Sequence, residues 1–105
     1  MPILNEKAQT TAAAVPALAP QFDQFDLSNP QHLAMRKLMA DVYARHANAL
    51  EMDLPLSART YQGMGLGLER VARTVLNDAT LSTIGFSLYS AMHNLENAYS
   101  ERPAA

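Results

Sequence analysis

The sequence predicts an all-α domain. Its three helices, at about 30–51, 57–76 and 79–99, would form a bundle or a helical-hairpin homodimer behind a disordered N-terminal tail. Three observations predict this class. Apolar residues recur at steps of three and four through the last seventy positions. Asn29-Pro30, Met52–Ser57 and Asn77-Asp78 interrupt that recurrence with cap and turn residues. The stretch before them has no period that could bury a face. The expected organisation is a flexible tail at 1–29, one helical domain at 30–100 and a short C-terminal tail at 101–105.

The N-terminal stretch from Lys7 to Pro20 is small, polar and broken by Pro16 and Pro20. One island stands out in it. Phe22, Phe25 and Leu27 lie among carboxylates, as the anchors of a short linear motif would. Gln24-Phe25-Asp26-Leu27 faintly resembles the glutamine-plus-apolar peptides that bind sliding clamps, although Ser28 stands where an aromatic is expected. The same three residues could instead pack back on the chain's own helices, with Leu27 stapling the first.

The first helix starts at Asn29-Pro30, a favoured N-cap followed by proline at the first helical position. Met35, Leu38, Met39, Val42, Ala49 and Leu50 form its apolar stripe. Asp41 and Arg45 make a favourable i,i+4 pair on the polar side. Pro55 should end this helix region and Ser57 should cap the second helix. There Tyr61, Met64, Leu68, Val71 and Val75 step 3, 4, 3, 4, the pattern of a heptad seam. Gly63, Gly65 and Gly67 oppose helix formation by roughly 2–3 kcal/mol in total relative to alanine. Either 62–67 is a loop, or Gly63 and Gly67, with Thr60 and Thr74, make a small-residue groove that another backbone approaches.

Asp78 caps a third helix whose stripe is Leu81, Ile84, Leu88, Ala91, Met92, Leu95 and Tyr99; a strand over 80–90 is the alternative. Residues 79–95 carry no charge over 17 positions. A solvent-facing helix normally shows charges, so this element is expected to be buried on most sides or to meet a partner. Phe86, Tyr89 and His93 form an aromatic shoulder beside its main stripe, with Ser90 and Asn94 on the neutral back.

Composition excludes several function classes. The chain has no cysteine, so thiolate metal sites and cysteine nucleophiles are absent. Its net charge of −2 argues against a polybasic nucleic-acid binder. No apolar run reaches the 18 or so residues of a membrane span, and the N-terminus lacks a secretory pattern, so a cytoplasmic location is expected. His32, His46 and His93 have no metal spacing; His46 lies on the apolar stripe and reads as a core residue. The Gly63–Gly67 run lacks the strand and the Gly-Lys-Ser/Thr ending of a phosphate loop. Asp41 and Glu69 read as helix-surface partners, and the arginine–isoleucine–aspartate pattern of three-helix chorismate mutases is missing.

The functional expectation is therefore a non-enzymatic helical protein-interaction module without cofactor or small-molecule substrate. It would be a small regulator that blocks or escorts another protein, as antiactivators and secretion chaperones do, and that forms a homodimer. Phe86, Tyr89, Ser90, His93, Asn94 and Leu66, with Gly63 and Gly67, are the expected contact residues. One alternative is a helix-turn-helix-like DNA binder reading with Arg59, Thr60 and Gln62; another is a small helical subunit of a secretion apparatus or virion.

Overall fold

The computed structural model describes residues 17–101. Three helices form: α1 (Pro30–Glu51), α2 (Pro55–Thr74) and α3 (Ala79–Ser100), preceded by a single 3-10 turn at Phe22–Gln24. All three pack against one another. Among the described residues there is no strand, so 80–90 is helix, and 62–67 is helix rather than loop. None of these helices is long and apolar enough to cross a membrane.

The helix starts follow from local chemistry. Asn29 has extended geometry, and its side chain accepts from the backbone N–H groups of Gln31 and His32 ahead of Pro30. Asp78 caps α3 by accepting from the Leu81 N–H at 2.9 Å. The start of α2 differs from expectation. Pro55 does not merely end α1; it occupies the first position of α2, and Ser57 lies inside the helix. The turn between them is a Schellman motif: Asp53 N–H bonds Leu50 O, Leu54 N–H bonds Ala49 O, and Asp53 sits in the left-handed region at φ 57°. Asn77 makes the second left-handed turn, at φ 51°.

The core gathers Met39, Leu81, Ile84, Leu88 and Met92, all fully buried, with Phe25, Met35, Val42 and Ala72 around them. Truncating one such aliphatic side chain to alanine costs about 2–5 kcal/mol. The α3 stripe faces inward as expected, and so do Met35, Met39, Val42 and Ala49 of α1, but Leu38 is exposed and Leu50 half-buried. The α2 stripe does not. Its buried positions are Ala58, Gly65, Glu69 and Ala72, whereas Met64, Val71 and Val75 are exposed and Tyr61 and Leu68 are half-buried. Small residues let α2 approach α3 closely: a Cβ at Gly65 would stand 3.0 Å from the Met92 sulfur, and one at Gly85 2.9 Å from the Glu69 Cα. That contact rotates the larger side chains of α2 away from the core.

The expected tail over 1–29 divides at residue 17. Residues 1–16 lie outside the described part, but 17–29 form a strap across α1 and α3. Asn94 Nδ2 donates to Ala17 O (2.8 Å), Tyr43 Oη to Leu18 O (2.7 Å), and Gln21 N–H to Ser87 Oγ (2.9 Å). Phe25 is buried and Phe22 packs against the core with it, their ring centroids 5.5 Å apart. These two phenylalanines are thus anchors for the chain's own helices. Leu27 remains exposed and staples nothing.

Candidate interaction surface

Catalysis or metal binding would draw on polar groups held inside the fold. His32 is buried, and its ring joins three segments. Nδ1 accepts from the Asp26 N–H of the strap at 2.9 Å, which leaves the hydrogen on Nε2, 2.9 Å from Asp78 Oδ2 at the head of α3. The Leu81 N–H foremost, and also His32, hold the Asp78 carboxyl below its ordinary pKa. Asp26 is likewise lowered, chiefly by the Ser28 hydroxyl and also by the Ser28 N–H. This arrangement closes on itself and ties strap to bundle.

Glu69 is not the surface partner the sequence suggests. It is buried between α2 and α3, accepting from Arg73 Nε at 3.1 Å and from the Ser82 hydroxyl at 3.3 Å. His46 lies in the core as expected, fully buried. Neither ring nitrogen has a hydrogen-bond partner, although Glu96 Oε2 stands 3.5 Å from Nε2. Desolvation lowers its pKa, and the Glu96 carboxylate offsets only part of that effect. Among the described residues no cluster of His, Asp and Glu could hold a metal ion. A depression of about 380 Å³ at the α2–α3 turn is lined by Arg73, Asn77, Asp78, Ala79, Ser82 and Thr83. Of its five polar side chains, Arg73, Asp78, Ser82 and Thr83 are already bonded within the protein.

The expected contact residues fall into separate places. Gln62 and His93 meet at 3.4 Å and fix the antiparallel register of α2 and α3. One helical turn along, Leu66 and Tyr89 come level, both half-buried. Phe86, one further turn along α3, is 56% exposed, and His93 is exposed. These four residues share the α2–α3 face. Asn94 does not join them, because it points to the strap and holds Ala17. Ser90 lies half-buried between the two sides.

Gly63 and Gly67 are exposed, and beyond the neighbouring residues and backbone of their own helix nothing stands within 4 Å of the Cβ either would carry. The close helix approach expected there is made by Gly65 and Gly85 instead. Of the DNA-reading candidates, Arg59 is exposed, the Thr60 hydroxyl is bonded to Leu56 O, and Gln62 is engaged with His93.

Periodicity missed an aliphatic face. Met64, Val71 and Val75, spaced by seven and four residues, share one outward side of α2, and all three are exposed, as is Leu38 on α1. Their spacing is visible in the sequence but reads there as a core seam. The chain matches no family model, no curated protein and no solved structure.

Proposed function

We propose that this chain is a non-enzymatic helical interaction module, a small regulator that blocks or escorts another protein. The α2–α3 face is its contact surface for that partner. The observation that carries the reading is Phe86, a large aromatic more than half exposed in the middle of the uncharged stretch of α3. Tyr89, Leu66 and His93 flank it, giving an apolar centre with a polar edge. Such a composition suits a protein contact, where aromatic residues supply much of the binding energy. The buried His32 and Glu69 support the same reading, since both are engaged in holding segments together, His32 with the half-buried Asp78.

The test is affinity capture from the native cell with the full chain and with Phe86→Ala, compared by quantitative mass spectrometry. Phe86 is exposed, so the variant keeps its fold and its circular dichroism. The expected result is a protein retained by the wild type and depleted at least tenfold with Phe86→Ala. Identical capture profiles would remove this face from the proposal.

A further inference from the structure

We propose that residues 17–26 form a proton-sensitive latch. Protonating the His32 ring breaks its bond to the Asp26 N–H, and the strap then lifts off α1 and α3 while the three helices stay folded.

The strap is held so that it can open as one unit. It runs antiparallel to both helices it crosses. On α1, Leu18 meets Tyr43 and Asp26 meets His32; on α3, Ala17 meets Asn94 and Gln21 meets Ser87. The bonds to Tyr43, Asn94 and Ser87 lie at the surface. Of residues 17–25, Phe25 is the one that is buried. A segment with a single buried anchor and exposed hydrogen bonds opens far more readily than the domain unfolds. The helices have their own support. Asn29 and Pro30 start α1 without the strap, and the three helices pack directly on one another.

The anchor and the proton site are neighbours. The Phe25 and His32 rings stand edge to face with centroids 6.2 Å apart. His32 is buried, and its Nδ1 accepts from the Asp26 N–H at 2.9 Å. A backbone N–H only donates, so this bond exists only while Nδ1 keeps its lone pair. A charged imidazole carries hydrogen on both nitrogens. In the closed strap the added N–H would face the Asp26 N–H, two buried donors with no acceptor between them. With the strap lifted, water accepts from it. The open form therefore has room for a proton that the closed form lacks, and acid shifts the population toward it.

The charges around His32 do not reverse that direction. Asp78, at the head of α3, bonds Nε2 at 2.9 Å whichever charge the ring carries, so it holds the ring in both forms. Asp26 on the strap would favour a charged ring in the closed form. Its carboxylate is exposed, however, and turned to its own Ser28, accepting from the hydroxyl at 2.6 Å and the N–H at 3.0 Å. A solvated carboxylate contributes less than two opposed buried donors cost. Arg36, one turn further along α1, is exposed, and Arg73 of α2, beside Asp78, is bonded to Glu69. Asp26 and Asp78 are both held below the ordinary carboxylate pKa, the first chiefly by the Ser28 hydroxyl and the second by the Leu81 N–H. Neither changes charge in mild acid, which leaves the response to the histidine. Exposure of Phe22, Phe25 and the seat they cover thus becomes conditional on pH.

The experiment uses the full chain carrying fluorine-labelled phenylalanine. Its three phenylalanines, Phe22, Phe25 and Phe86, give three fluorine NMR signals, and the exposed Phe86 marks the position of a solvated ring. Between pH 7.5 and 5.5 the open fraction is expected to rise at least tenfold. The Phe22 and Phe25 signals should move together toward that of Phe86, with helical circular dichroism unchanged. The His32 ring signals should titrate with the same midpoint. His32→Asn, whose side-chain oxygen accepts from an N–H but takes no proton in this range, is expected to abolish the movement. His46→Leu, which removes the other buried histidine, is expected to preserve it. Phe22 and Phe25 signals that hold still overturn the proposal, as does a His32 midpoint different from theirs. Movement that accompanies loss of helix, that survives His32→Asn, or that vanishes in a folded His46→Leu chain overturns it too.

Discussion

The two sides of α2 use glycine for different ends. On the inner side Gly65, with Gly85 from α3, sits where another helix already presses, and each vacant Cβ position is filled by a neighbour. On the outer side Gly63 and Gly67 face open space, with nothing near enough to explain the missing side chain. Within one chain, the inner glycines stabilise by allowing packing, and the outer ones cost helix stability without return. That contrast teaches that a glycine in a helix must be read by what stands opposite it.

Substitutions at the four positions should separate these roles. The largest effect is expected for Gly85→Ala. Alanine is the better helix former by about 1 kcal/mol. Its methyl would nevertheless meet the backbone of Glu69 at 2.9 Å, which cannot yield unless α2 and α3 part. Overpacking of this kind costs about 1–3 kcal/mol, so the melting temperature should fall by about 5–15 °C. Next comes the double variant Gly63→Ala with Gly67→Ala, measured in dilute protein. With no clash to oppose it, helix propensity should raise stability by about 1–2 kcal/mol, seen as a higher urea midpoint. No gain would mean that α2 is frayed there.

A third prediction concerns pH and tests whether the inner side is as complete as it looks. Burial lowers the His46 pKa below its ordinary 6.5 in the folded chain. The unfolded chain therefore binds more protons below that value, and stability should be full above pH 6.5 and decline as pH falls toward the folded pKa. Urea titrations at pH 7.5 and 5.5 should show this decline, and His46→Leu should flatten it. An unchanged slope in the variant would place the titration elsewhere. The smallest effect belongs to Gly65→Ala. Its methyl meets the Met92 sulfur at 3.0 Å, near the end of a flexible side chain that can shift, so propensity and crowding should cancel to within about 0.5 kcal/mol.

The starts of α1 and α3 were legible because their chemistry is local, whereas the start of α2 at Pro55, ahead of the expected cap Ser57, was not. Asn29, Pro30 and Asp78 do in the structure what such residues do in any helix start. The orientation of α2 was not legible, because hydrophobic periodicity assumes that the largest apolar residues face inward. Here Ala58, Gly65 and Ala72 face inward, since a close helix contact needs small residues and turns Met64 and Val71 out. The buried state of Glu69 follows from the same rotation. The aromatic candidates Phe86 and His93 could be read from the uncharged stretch around them. By contrast, Asn94 was claimed by a segment 77 residues away, and the His32–Asp78 contact spans 46. Separations of that size leave no mark in a local pattern, so the sequence left open whether Phe22 and Phe25 anchor a foreign partner or the chain's own helices, and could not say where they dock.

The long span of the strap also has a consequence for synthesis. The helices contact neighbours in sequence, but the strap must wait for Ser87 and Asn94 near the other end of the described chain. At about 5–20 residues per second, Phe22 and Phe25 are made several seconds before their groove exists. During that interval two aromatics stand uncovered on a nascent chain, the situation in which aggregation begins. Asp23 and Asp26, interleaved with them, and Pro20 just upstream act as gatekeepers until the third helix has been made.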